Sequence, residues 1–192
     1  DTPGVHSKRV LKLRTVEDAL EMRRIVEEEK PERAVVVGGG FIGLEAAENL
    51  MEAGVKVTLL QRSEQVLPPI DWDMACELHS HLREKGLDLR FKHSVESYEE
   101  LENGIRVHVA GRESIDCSFV VLAVGVVPDS ELAAAAGLEL GPKGSIMVDS
   151  HMRTSDHDIY AVGDAVEVVN PVTGAPALVA LAGPANKQGR IA

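Results

Sequence analysis

A chain of 192 residues has room for one large domain, or for one domain and part of a second. Its formal net charge of -11 makes DNA, RNA and anionic membrane surfaces poor partners, and one Trp, two Tyr and three Phe are too few for a platform that stacks single-stranded nucleic acid. Cys76 and Cys117 make neither a disulfide scaffold nor a CxxC redox pair, no apolar run reaches the roughly 18 residues of a membrane span, and Asp1-Thr2-Pro3-Gly4 carries no leader pattern. These features favour a cytoplasmic protein with no nucleic-acid or membrane partner.

In chain order, Thr15-x-x-Asp18 resembles a capping box with Asp in place of Glu, so a helix begins at Thr15. Leu20, Ile25 and Val26 fall near one of its faces, and Pro31 stops it. Ala34–Val37 reads as a first strand, and it runs into Gly38-Gly39-Gly40-Phe41-Ile42-Gly43. Gly38, Gly40 and Gly43 stand at the spacing of a dinucleotide-binding loop. Gly38 lets the strand turn, Gly40 lets backbone approach a pyrophosphate, and Gly43 lets the next helix pack on the sheet with its N-terminus toward negative charge. That helix runs from about Ile42 to Ala53, with Ile42, Ala46, Ala47 and Leu50 as an apolar stripe and Gly54 at its end. A second strand follows at Val55–Leu60. Strand, glycines, helix and second strand together argue for a bound dinucleotide over a chance run of glycines. Phe41 and Ile42 follow the turn closely enough to be pocket walls, and Glu45 lies where a carboxylate gains from the helix dipole.

Val66-Leu67-Pro68-Pro69 reads as a stiff loop before a helix from about Trp72 to Lys85, closed by Gly86, with Asp71 and Asp73 as capping charges. Short segments near Leu87–Phe91, Ser94–Glu99, Ile105–Val109 and Ser114–Ser118, with a turn at Asn103-Gly104, predict an inserted antiparallel meander. Phe119–Ala123 is apolar almost throughout and suits a buried parallel sheet, and Gly125 and Pro128 break the chain after it. Beyond about residue 125 the pattern predicts a helical patch at Leu132–Ala136, short strands at Ile146–Val148 and Asp158–Ala161, and the first turns of a helix at Asn186–Ala192. Pro171, Gly174, Pro176, Gly183 and Pro184 break up the rest, so this tail reads as a piece of another unit. His79 and His81 are two apart on a helix and do not face one site, and His151 and His157 lie in loops without a metal-ligand cluster. No metal is expected, and neither a Ser-His-Asp arrangement nor a P-loop lysine is present.

Three motifs in order carry a family resemblance: Gly38-Gly39-Gly40-Phe41-Ile42-Gly43-Leu44-Glu45, Ala123-Val124-Gly125-Val126-Val127-Pro128, and Ile159-Tyr160-Ala161-Val162-Gly163-Asp164-Ala165. Together they resemble the FAD-dependent pyridine nucleotide–disulfide oxidoreductases. Leu181-Ala182-Gly183-Pro184-Ala185-Asn186-Lys187-Gln188-Gly189-Arg190 resembles the branch containing coenzyme A–disulfide reductase and NADH oxidase. The resemblance covers essentially the whole chain and implies an α/β fold. Residues 1–30 are then a linker crossing from an FAD domain. Residues 31–124 are a Rossmann-like NAD(P)-binding domain with a parallel sheet and an inserted antiparallel β-meander. Residues 125–192 are the second, truncated segment of the FAD domain. An earlier FAD motif, a redox cysteine and a C-terminal interface domain are implied outside the chain. The expected partners are therefore those missing segments of a homodimeric parent, and the fragment is expected to bind nucleotide without turnover.

The resemblance also implies roles. Phe41 resembles an aromatic that covers the flavin side when nicotinamide is absent, and Glu45 lies near the nicotinamide carboxamide or ribose. Ala123 and Gly125 pass beside the nicotinamide half. Gly163 and Asp164 look like the second FAD motif, its aspartate accepting from the ribityl hydroxyls, and Ala185 and Asn186 look like a further flavin contact. No catalytic residue is expected within the chain. Gln61 stands 18 residues after Gly43, where an NAD-specific site offers Asp or Glu to the adenosine ribose. A glutamine hydrogen-bonds there but adds no charge to reject a 2′-phosphate, and Arg62 could pair with one, while Glu64 restores some negative potential. The expected cofactors are NAD(H), with tolerance of NADP(H), and FAD in the parent. Hydride would pass from NAD(P)H to FAD, then through a cysteine to a disulfide, persulfide, polysulfide or oxygen. Two other readings stay open: a flavin-free NAD-dependent dehydrogenase, which lacks a well-placed histidine, and a non-catalytic nucleotide-binding or redox-sensing module, which leaves Gly163-Asp164 without a purpose.

Overall fold

The computed structural model describes residues 2–192, which divide into a first unit ending at Gly125 and a second, Val126–Ala192. In the first unit the elements are β1 (Val10–Lys12), α1 (Val16–Arg24), β2 (Arg33–Val37), α2 (Phe41–Glu52), β3 (Lys56–Gln61), α3 (Trp72–Glu84), β4 (Asp88–Phe91), β5 (Val95–Leu101), β6 (Gly104–Val109), β7 (Ile115–Cys117) and β8 (Phe119–Leu122). The capping box is formed: Thr15 Oγ1 accepts from the Asp18 N–H, and the Asp18 carboxylate accepts from the Thr15 and Arg14 N–H groups at 2.8 and 2.9 Å. Those backbone donors hold the Asp18 carboxyl below its ordinary range. α1 then loosens into a π turn at Ile25–Glu29, and Lys30, left-handed at φ 46°, ends it ahead of Pro31. The N-terminal segment expected as a linker thus supplies a helix and, through β1, one edge of the main sheet.

That sheet has the order β1-β8-β2-β3-β4 with every neighbouring pair parallel. Its central strands are apolar on both faces, so alternate residues enter different cores. Ala34, Val36, Leu59, Phe119 and Val121 pack with Ala46, Ala47 and Leu50 of α2, and Val35, Val37, Leu60 and Val120 pack with Tyr98, Ile105, Val107 and Ile115 of the meander. Burying each such Val or Leu is worth about 1.5–3 kcal/mol. The meander therefore covers the sheet face that a helix covers in many parallel folds.

Three expectations need correcting here. Leu87–Phe91 is not the first meander strand: β4 pairs in parallel with β3, Leu59 opposite Leu89, after the α3 crossover. The antiparallel sheet is β5-β6-β7 alone, and its first hairpin pairs Leu101 with Gly104, so the loop is Glu102-Asn103 rather than Asn103-Gly104. Asp71 stands at the N-cap of α3 but makes no side-chain capping bond among the described residues.

The second unit contains α4 (Glu131–Ala135), β9 (Ile146–Met147), a 3-10 turn at Gly163–Ala165, β10 (Val166–Val169), β11 (Pro176–Leu178) and α5 (Ala182–Ile191). β9 and β11 flank β10, the first parallel and the second antiparallel. The β10–β11 hairpin was not expected. Asp158–Ala161 is not a strand; it holds one isolated bridge, Arg153 to Tyr160. α5 begins at Ala182, four residues before Asn186, because Pro184 in its first turn lacks an N–H that the helix does not need there. Among the described residues no helix is long and apolar enough to cross a membrane.

Candidate functional site

β2 ends in the middle of the parallel sheet, and Gly38 turns the chain away at φ 110°, its N–H donating to the Leu60 carbonyl at 2.9 Å. A Cβ on Gly38 would run into the Ala123 carbonyl, so the turn and the end of β8 touch backbone to backbone. Gly43 is equally close to the Gly38 carbonyl, which seats the first turn of α2 against the loop. Gly40 differs: it is the N-cap of α2, and the space beside its Cα is open. The free N–H groups of a helix start, carrying its positive dipole end, therefore border that open space, which suits an anion.

A cleft of about 690 Å³ opens there, a size suited to a bound small molecule. It brings together Gly38, Gly39 and Gly40, Gln61, Arg62 and Ser63 after β3, His93 and Ser94 after β4, and Ala123 and Gly125 after β8. All these lie at the C-terminal ends of parallel strands, where open α/β sheets bind ligands. Phe41 and Ile42 are 54% and 41% exposed at the start of α2, and neither they nor Gly43 and Glu45 line the cleft. Glu45 is exposed one turn further on.

Gln61 is committed to the loop. Its Oε1 accepts from the Gly39 N–H at 3.0 Å, and its Nε2 donates to Ser63 Oγ at 2.6 Å and to the Gln65 carbonyl at 3.1 Å. Both amide hydrogens are used, which leaves one lone pair on Oε1 for a ribose hydroxyl. Leu67 N–H donates to the Gly39 carbonyl at 2.8 Å, so Gly39 is held at both its polar groups. No local sequence pattern announces this bracing, because it joins two segments more than 20 residues apart.

His79 supports the same loop from α3. It is 4% exposed, packs against Phe91 with ring centroids 4.5 Å apart, and its Nε2 accepts from the Val66 N–H at 3.3 Å. Burial, and then the Arg83 charge, hold its pKa below the ordinary 6.5. A protonated ring cannot accept that N–H. The stability from neutral His79 is thus present above pH 6.5 and is lost as pH falls through the lower folded value. Acidifying from about pH 7.5 to about 5.5 is expected to lower Tm more in the wild type than in His79→Gln, whose amide oxygen can still accept. Equal losses in the two proteins would refute that role.

In the second unit Gly163, at φ 85°, donates its N–H to Gln188 Oε1 at 2.7 Å, and a Cβ on it would lie 3.9 Å from Ala185 Cβ. Gly163, Ala185 and Gln188 are therefore neighbours, with Asp164 exposed on the same 3-10 turn. Ala185, Asn186, Gly189 and Arg190 line a shallow concavity on α5. Gln188 lies within the Leu181–Arg190 motif, and its role comes from this tertiary bond.

Cys117 is buried, which pushes its thiol up to about 12, so it stays protonated at neutral pH. Asp156, His157 and Asp158 bring one ligand atom each within 4.8 Å, a grouping the sequence reading did not anticipate; all three are exposed.

Comparison with known proteins gives four findings. The family description "Pyridine nucleotide-disulphide oxidoreductase" matches residues 1–188. An NADH oxidase of Methanocaldococcus jannaschii is 38% identical over 184 residues, which are 95% of this chain and 41% of that protein. Among solved structures, reduced CoADR-RHD of Bacillus anthracis superposes with a TM-score of 0.94 at 42% identity, over 100% of this chain and 34% of that one. An engineered water-forming NADPH oxidase (TPNOX), a mutant of LbNOX bound to NADPH, superposes with a TM-score of 0.91 at 29% identity, over 100% of this chain and 42% of that one. The chain spans about a third to two fifths of the length of these three proteins.

Proposed function

The chain belongs to the pyridine nucleotide-disulphide oxidoreductase family, and from that premise we propose that residues 31–124 hold the NAD(P)H of a flavoprotein oxidoreductase. The observation that carries the proposal is the Gly38–Gly43 turn, which opens bare backbone and a helix N-terminus onto a cleft at the C-terminal ends of the parallel strands. In this reading the N–H groups at Gly40 and Phe41 receive the pyrophosphate, which sits over Gly40 where no side chain intervenes. The adenosine ribose lies toward Gln61 and Arg62, and the nicotinamide half lies toward Ala123 and Gly125.

The second unit fits a flavin-bearing partner site in its donor set. Gln188 fixes the Gly163 turn, and that turn presents the Asp164 carboxylate, an acceptor for sugar-chain hydroxyls, beside Ala185. A bound flavin would supply a two-electron acceptor for the nicotinamide hydride. The chain's own part is to bind and orient nucleotide. Electron delivery onward, to a disulfide, a persulfide or polysulfide, or oxygen, we assign to the longer protein, since Cys117 is a buried, protonated thiol and Cys76 lies apart from it in sequence. By this proposal the 192 residues bind nucleotide and do not turn over unaided.

The choice between NADH and NADPH rests on 61–63. The substitutions named in TPNOX are glycine to alanine, then 18 positions later aspartate to alanine, alanine to arginine and methionine to serine in succession, then proline to arginine five positions on. The same spacing here gives Gly43, then Gln61-Arg62-Ser63, then Pro68. This chain thus has no acid at the first of the three positions and already carries the arginine and serine of the NADPH-binding variant. It keeps the glycine and proline of the parent enzyme. We therefore propose that the site takes both nucleotides. Arg62→Ala is expected to weaken NADPH about 10-fold while changing NADH less than about 2-fold, measured by nucleotide fluorescence titration. Equal losses for both would exclude Arg62 as the phosphate partner.

Backbone amide NMR tests the reading as a whole. Adding NADH should shift the Gly39, Gly40, Phe41 and Arg62 amides. Saturable binding that left those four unmoved would contradict it.

A further inference from the structure

Among the polar side chains of the cleft that neither the glycine motif nor the β3 terminus accounts for is an imidazole, His93. It follows β4, and its N–H donates to the Gln61 carbonyl at 3.1 Å, which fastens it beside the end of β3. Its ring Nδ1 lies 2.6 Å from the Phe91 carbonyl oxygen. A carbonyl only accepts, so Nδ1 carries the hydrogen in every protonation state. Nε2 is then a lone pair in the neutral ring and an N–H in the charged one, and among the described residues it has no hydrogen-bond partner.

We propose that His93 is a specificity residue that sets the preference between NAD(H) and NADP(H) according to its charge. The proposal rests on the dinucleotide reading of the cleft. A neutral Nε2 accepts from the ribose 2′-hydroxyl but meets a 2′-phosphate lone pair to lone pair. A protonated Nε2 donates to the phosphate and adds a positive charge beside Arg62. The ionisable groups lining the cleft besides His93 are Arg62, always charged, and Tyr98, whose burial pushes its phenol up to about 12. Lys92 next to His93 is paired with Glu64 at 2.7 Å, so that pair is close to neutral in sum. Arg62 and Tyr98 therefore keep their charge between pH 6 and 8, the range in which an imidazole in general can change its own. The 2′-phosphate itself gains a proton near pH 6, which weakens its binding on acidification and so opposes the effect.

The test is calorimetric measurement of NAD+ and NADP+ affinity at about pH 8 and about pH 6 and fixed ionic strength. It uses the wild-type chain, His93→Gln, which hydrogen-bonds without titrating, and His93→Phe. The wild-type ratio of NAD+ to NADP+ dissociation constants should rise about 5-fold or more on acidification, and in both variants by less than about 2-fold. A flat wild-type ratio, or an undiminished rise in His93→Gln, would overturn the role of His93 while leaving the dinucleotide site standing. Failure of folded wild-type protein to bind either nucleotide at either pH would overturn both.

Discussion

Gly38→Ala should lose NADH binding by about 100-fold or more, close to 3 kcal/mol, while keeping a folded first unit. Gly38 holds φ 110°, which an alanine adopts only under strain of about 1–3 kcal/mol. Its new methyl would also collide with the Ala123 carbonyl, which is backbone and cannot swing aside. Relief requires the loop to lift off β8. The Gly38 N–H bond to Leu60 and the aim of the α2 N-terminus both depend on that seat. The loss should therefore fall on nucleotide binding far more than on Tm, since α2 remains packed through Ala46, Ala47 and Leu50. Titration and thermal melting of one preparation measure both. Binding within 3-fold or so of wild type would show that the loop does not contact the ligand.

Phe119→Ala should have the largest effect on stability. Phe119 is fully buried in β8, the strand that joins β1 to β2, and it contacts the core shared by Ala34, Val36 and the helices. Removing a buried Phe side chain costs about 3–5 kcal/mol, a large part of the roughly 5–15 kcal/mol that holds a domain together. Urea unfolding should show a midpoint lowered with little change in slope. Phe119→Leu, which keeps most of the volume, should recover the greater part. A loss below about 1 kcal/mol in Phe119→Ala would mean that Phe119 does not anchor the core between β8 and the helices.

The elements that could be read in the sequence are those whose signal is local. Val35–Val37 and Phe119–Leu122 are apolar on both faces because both faces are covered, and the glycines between strand and helix sit at fixed spacing. β4 was misplaced for the opposite reason. It is an edge strand, with Leu89 inward and Asp88 and Arg90 paired outward at 2.7 Å, so its sequence alternates as an antiparallel strand does. The β10–β11 hairpin was hidden by Pro171, Gly174 and Pro176, which fall in its turn and at the first residue of its last strand, where a missing N–H is tolerated.

The same division runs through the site. Gln61 could be found by counting from Gly43, but its use as a brace for Gly39 could not, because that bond depends on where β3 ends relative to the loop. His79 and His93 reach the neighbourhood of the loop only through α3 and β4, and nothing in their flanking residues sets them apart from surface histidines. Gln188 lies inside a recognisable motif, yet its bond to Gly163 crosses 25 residues. Spacing found the backbone of the site; the side chains that hold it in shape are supplied by tertiary contacts.

The central claim is that the first unit is a competent dinucleotide site. Calorimetric titration of the folded chain with NADH, and separately with NADPH, addresses it most directly. The account predicts saturable binding of both at one site per chain, with NADH tighter by no more than about 10-fold. Absence of saturable heat with either nucleotide, from protein shown to be folded in the same buffer, would contradict it.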